Sequence, residues 1–239
     1  MADHLTPLGF TVRTVPEFEE LIAHAAAEGV GVDAGDAGAY VHWACGEDGV
    51  ELWVKVSPEG QIVDCQPHFA PPDASPSLTL AGAQRVEDEG LALEGAALGA
   101  VAGASLAFHV ADFARGPLGT EDAALQVTAF AEAIEVFEEP ESFSEATGRR
   151  LGELDALDAR GEDDALLAQW PVEARVELSG EVVRCDLLRN PLMNGRFWRF
   201  VLRTDVGLLD AVAPSRAVKK RPRPGKVVDG IFWLSARWV

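Results

Sequence analysis

Short apolar-rich runs, broken by clusters of Gly, Pro and Asp, fill most of this chain, and that punctuation points to a strand-dominated fold. Residues 39–44, 51–56 and 61–66 are three strand candidates, separated by Gly46-Glu-Asp-Gly49 and Pro58-Glu-Gly60. In the middle run Leu52, Val54 and Val56 alternate with Glu51, Trp53 and Lys55. That period of two gives one apolar face, as in an antiparallel meander. Residues 78–86, 91–98, 105–112 and 125–137 read as further strands, and 67–77, with Pro71, Pro72 and Pro76, as a loop.

Helical signals are few. Thr14 and Glu17 have the spacing of a capping box, and Phe18, Leu21, Ile22 and Ala25 follow as an apolar stripe that Gly29 ends. A second, short helix is expected over 140–147. The fold class expected is α+β, mostly antiparallel β with one or two helices.

The tail has the clearest strand pattern. Residues 172–188 form a long run with Gly180 near the middle, where a bulge is expected. Residues 197–204, 208–213 and 227–239 follow, with turn chemistry over Asn190-Pro-Leu-Met-Asn194-Gly195. A long kinked strand, two hairpin-linked strands, a connection and a last strand resemble an OB-fold barrel, without its usual helix, for which 214–225 with three prolines has no room. The motif Leu93-Glu-Gly95, followed by Leu106–Val110, echoes Leu178-Ser-Gly180, followed by 197–200. The order of Leu8-Gly-Phe10, the helix 18–28, Glu51-Leu-Trp-Val54, Pro67-His-Phe69 and Gly230-Ile-Phe-Trp-Leu-Ser235 resembles that of some uncharacterised bacterial proteins. That resemblance supports domain order and implies no activity.

Charge divides the chain further. Residues 1–170 carry 7 Lys and Arg against 32 Asp and Glu, and residues 171–239 carry 13 against 7. The net −19 is therefore −25 on the body and +6 on the tail. The expected organisation is an acidic α+β domain over 1–148, an acidic connector over 149–170 and a basic OB-like module over 171–239. There is no run of the ~18–20 apolar residues a membrane helix needs and no signal-peptide pattern, and three cysteines make no disulfide framework. A cytoplasmic protein without a membrane partner is expected.

Four residues have the spacing of a zinc site: His42 and Cys45, Cys65 and His68. On strands, residues three apart point to opposite faces, which argues against convergence, so no metal is assigned. The stretch Gly29-Val-Gly-Val-Asp33-Ala-Gly-Asp36-Ala-Gly38 follows a helix and precedes a strand, the reverse of a dinucleotide loop, and reads as a flexible turn. His109 alternates with Phe108 and Val110 and reads as a sheet residue. No nucleophile motif, phosphate loop or cofactor signature is present, so no catalytic residue or cofactor is expected.

The binding residues expected lie in the tail. Arg189, Arg196, Arg199 and Arg203 interleave with Phe197, Trp198 and Phe200, and the following loop adds Lys219, Lys220, Arg221, Arg223 and Lys226. Cations beside aromatics on an OB-like sheet suit single-stranded nucleic acid. Alternation puts Trp198, Phe200 and Leu202 in the core and leaves Arg196, Phe197 and Arg203 exposed. The function expected first is a non-enzymatic, inhibitor- or immunity-like protein whose acidic body binds a partner with a basic surface. The alternatives are single-stranded nucleic-acid binding through 171–239, and an enzyme of unrecognised class.

Overall fold

The computed structural model describes residues 4–88, 91–116, 122–157 and 174–239. Helix α1 (Val15–Glu28) starts at the expected capping box: the Thr14 hydroxyl accepts from the Glu17 backbone, and the Glu17 carboxylate accepts from the Thr14 backbone. Leu21, Ile22 and Ala25 are buried, the two larger side chains contributing roughly 1.5–3 kcal/mol each. The helix lies on a four-stranded antiparallel sheet of β1 (Val30–Asp33), β2 (Ala39–Cys45), β3 (Val50–Val56) and β4 (Ile62–Phe69), in that order. The glycine-rich stretch after α1 is thus an edge strand, with only the turn after it irregular. Gly38, at φ +120°, packs its Cα against the Val56 carbonyl, which leaves no room for a side chain.

Among the described residues the second sheet has nine strands. Two sets of four, β5 (Leu78–Asp88), β6 (Leu91–Val101), β7 (Ala104–Val110) and β8 (Ala123–Phe137), then β10 (Arg175–Arg189), β11 (Arg196–Thr204), β12 (Gly207–Pro214) and β13 (Val227–Trp238), repeat one pairing scheme. In each set the first strand pairs antiparallel with the second and with the fourth, and the second pairs antiparallel with the third. The third strand then pairs in parallel with the fourth strand of the other set: β7 with β13, and β12 with β8. Strands β8 and β13 are antiparallel neighbours, from Leu125 opposite Trp238 to Phe137 opposite Val227. Two closed rings of five strands result, and β8 and β13 belong to both. A single apolar core runs through them, including Phe108, Leu125, Leu178, Phe200, Phe232 and Leu234.

Strands dominate and two α-helices occur among the described residues, as expected, the second being α2 (Pro140–Thr147); the molecule is β-rich, with little helix for an α+β protein. Other expectations change. The last seventy residues are not a separate module, because β13 and β12 take β8 and β7 as neighbours in one sheet. Part of the expected connector is ordered: β9 (Leu154–Ala156) pairs with β10, while its residues 158–170 lie outside the described ones. The motif echo joins non-equivalent strands, since Leu93-Glu-Gly95 lies on β6 while the counterpart of β10 is β5. The bulge in β10 falls at Val183, between the pairs Val182–Leu202 and Arg184–Val201.

A turn at the N-terminus fastens the layers. The Asn190 side-chain amide donates to the Leu8 carbonyl at 2.9 Å, while its oxygen accepts from the backbones of Leu192 and Met193. Gly9, at φ +74°, lies so close to Gly195 that a Cβ would sit 2.5 Å from the Gly195 carbonyl oxygen.

Candidate interaction surface and interlayer cleft

The basic–aromatic strand does not form an exposed surface. Phe197 is fully buried, meeting Phe69 edge-on at 5.8 Å. Arg199 is also buried, with its Nε 2.8 Å from Asp210 and its Nη1 2.6 Å from Asp73. Phe200 and Leu202 are in the core as expected, and Trp198 is half-buried. The expectation that Phe197 is exposed fails because the outer side of β11 is covered by Leu8, Phe10 and Phe69 of the N-terminal layer. Arg189, Arg196, Arg203, Lys219, Lys220, Arg221 and Arg223 are exposed. Arg203 pairs with Glu181 at 3.6 Å, and Arg223 and Lys220 add to the field that, after the hydrogen bond from Lys226, holds the Glu138 carboxyl below its usual range.

Other tail cations are spent on the body. Lys226 binds Glu138 at 2.8 Å, Arg175 binds Glu132 at 2.7 Å, Arg237 reaches Glu51 at 3.4 Å, and Arg184 joins Arg199 on Asp73. The two arginines, led by Arg199, hold the Asp73 carboxyl down to about 2. Most acids of the α1 and small-sheet layer lie at its surface, Glu51 and Asp64 being the paired exceptions. Glu17, Glu19, Glu20, Glu28, Asp33, Asp36, Glu47, Asp48 and Glu59 are all exposed. Arg13 is the one exposed Lys or Arg among residues 4–69, because Lys55 is buried between Asp64 at 3.2 Å and Glu94 at 4.0 Å.

The four residues with zinc spacing are divided between the two faces of the small sheet. Cys45 and Cys65 are in the apolar core under α1, and burial pushes the Cys65 thiol up to about 12. His42 and His68 are on the opposite face, which carries polar groups into the seam with the rings. Among the described residues no group of three or more His, Cys, Asp or Glu side chains is placed to hold a metal. His42 stacks on Trp53 and lies 3.3 Å from Glu51. Burial pushes the Glu51 carboxyl up, but the close approach of His42, followed by His68 and Arg237, outweighs it and leaves the group below its ordinary value.

His68 is fully buried, its Nε2 2.6 Å from the Gln126 side-chain oxygen and its Nδ1 2.9 Å from the Ser235 hydroxyl. The Gln126 amide donates to the Phe69 carbonyl, so its oxygen faces the ring. The neutral tautomer protonated at Nε2 then satisfies both contacts. Burial lowers the His68 pKa to about 4, although nearby Glu51 and the bond to Gln126 act in the opposite direction. Ser235 and His68 lack the access to solvent that a nucleophile and base need, so the pair fastens β4 to β13.

A cleft opens where the small layer leaves the rings. Two cavities, of about 770 and 640 Å³, share a wall of His4, His109 and Trp233, sizes within the ordinary range for small-molecule sites. The His4 ring stacks on Trp233 at 3.9 Å and 9° between planes, and His109 and Phe130 meet the same indole edge-on. The larger cavity adds Glu132, Arg175 and Arg216, and the smaller adds Lys55, Asp64 and the first turn of α1. His109 is thus a lining residue, with its carbonyl accepting from Gln66. Sequence reading missed the cleft because its walls come from segments with no shared motif; the one available signal was Trp233 within Gly230–Ser235.

No family model, curated protein or solved structure matches this chain. No helix among the described residues is long and apolar enough to cross a membrane.

Proposed function

We propose that this chain is a non-enzymatic binding protein that presents its acidic helix–sheet layer to a protein partner with a basic surface. One observation carries the reading: nine carboxylates of the layer face solvent with a single exposed arginine among them, while several tail cations neutralise other acids internally. A one-signed surface of this kind speeds encounter with an oppositely charged partner and makes it sensitive to salt. The three free thiols suit a cytoplasmic setting.

The alternative, single-stranded nucleic-acid binding, draws on the strand order of the ring β10–β11–β12–β8–β13, with its parallel β12–β8 pair, which we read as OB-like. A barrel of that kind binds through its second and third strands, here β11 and β12. The N-terminal layer lies on them, packing on Phe197 and Val212, so this reading retains only the exposed loop cations and is the weaker.

The test is capture from a lysate by the whole chain and by the variant Glu17→Lys/Glu19→Lys/Glu20→Lys. The expected result is a stoichiometric basic protein on the wild type that the variant loses, with an association rate falling about tenfold or more between low and physiological salt. Equal capture by both, or no basic protein enriched over an unrelated protein of the same charge, overturns the reading.

A further inference from the structure

We propose that the larger cavity is a binding site for a small flat aromatic anion, a carboxylate or phosphate ester, independent of the acidic surface. Three features select that chemistry. The cavity holds about 770 Å³, room for a ring system with a short side chain. Its wall at the seam is aromatic, built from His4 stacked flat on the nearly buried Trp233 with His109 and Phe130 beside them. Its lining also carries two guanidinium groups, of Arg175, the ladder neighbour of Trp233, and of Arg216. Glu132 takes up the charge of Arg175, and among the described residues Arg216 has no carboxylate partner, so the lining keeps one positive charge in excess. A guanidinium recognises carboxylate and phosphate alike through paired N–H donors. A ring packed against this aromatic wall leaves its anionic substituent to meet Arg216, which lines the same cavity.

Calorimetric titration of the full chain with benzoate, 2-naphthoate, indole-3-acetate and phenyl phosphate tests this, with 3-methylindole and acetate as the ring alone and the anion alone. At least one of the four aromatic anions is expected to bind one to one with a Kd of about 1 mM or tighter, and 3-methylindole and acetate at least about tenfold more weakly. The carboxylate and phosphate arms show which head group is preferred. Arg216→Ala, at an exposed position, weakens the best ligand about fivefold or more, and Ala217→Trp, which fills the cavity mouth, removes binding while thermal unfolding stays unchanged. Failure of all four anions at about 2 mM, or binding indifferent to both variants, overturns the proposal. Capture of a basic protein on the acidic layer is unaffected by either result.

Discussion

His68 makes stability depend on pH in a window that few other groups share. Its pKa is about 4 in the folded protein against an ordinary 6.5. The depressed value means that the unfolded chain takes up a proton which the native seam refuses. The contribution is therefore fully present above pH 6.5 and is lost as pH falls towards 4. With 1.36 kcal/mol per pKa unit, the two values give a loss of about 2 kcal/mol at pH 5 and about 3 kcal/mol at pH 4 relative to pH 7.5. Because His68 is fully buried, solvent screening takes little from that figure. The titratable and charged groups facing it are Glu51 on β3, His42 on β2 and Arg237 on β13. Of these Glu51 is held below its ordinary value. Urea unfolding followed by tryptophan fluorescence at pH 7.5, 6 and 5 reads the effect, provided the m-value stays constant. The variant His68→Gln starts less stable by about 1–3 kcal/mol, through broken buried hydrogen bonds, but shows a shallower slope. Parallel pH curves for wild type and variant, or a flat wild-type curve between pH 7.5 and 5, refute the argument.

Other perturbations address the layers and the rings. Arg199→Met leaves Asp210 buried without its cation and is expected to cost about 3–5 kcal/mol in urea unfolding, most of it recovered in Arg199→Met/Asp210→Leu; a neutral single variant contradicts the buried-pair reading. Gly9→Ala combines a positive φ with a Cβ 2.5 Å from the Gly195 carbonyl, so its melting temperature falls by an amount equivalent to about 2 kcal/mol or more. The fragment 171–239, expressed alone, lacks β8 and leaves one side of β12 and β13 without a ladder; its circular dichroism and amide dispersion are expected to be those of an unfolded or aggregated chain, and a cooperative thermal transition contradicts that. The intact chain binds oligothymidylate no tighter than about 10 μM at physiological salt, measured by fluorescence anisotropy, because the ring–cation strand is covered.

Local order was legible in the residues themselves. The capping box at Thr14 and Glu17, the stripe Leu21-Ile22-Ala25, and the turn at Asn190–Gly195 depend on interactions within a few positions, which propensity and spacing encode directly. The splitting of His42 and His68 from Cys45 and Cys65 followed from strand alternation alone. The sequence also made the strands long and β-rich, but not their partners. Ladder neighbours are chosen by the folded chain across separations such as that between β8 and β13, and a repeat of pairing scheme needs no repeat of residues. The burial of Phe197 and Arg199 is the clearest example. On the strand they look like a binding face, and only the layer docked over β11, with Asp73 and Asp210 as local countercharges, turns them into core. The cleft belongs to the same class: His4, His109, Arg175, Arg216 and Trp233 come to line one cavity only once two sheets meet, because a cavity is a property of the gap between elements and no single segment carries its pattern.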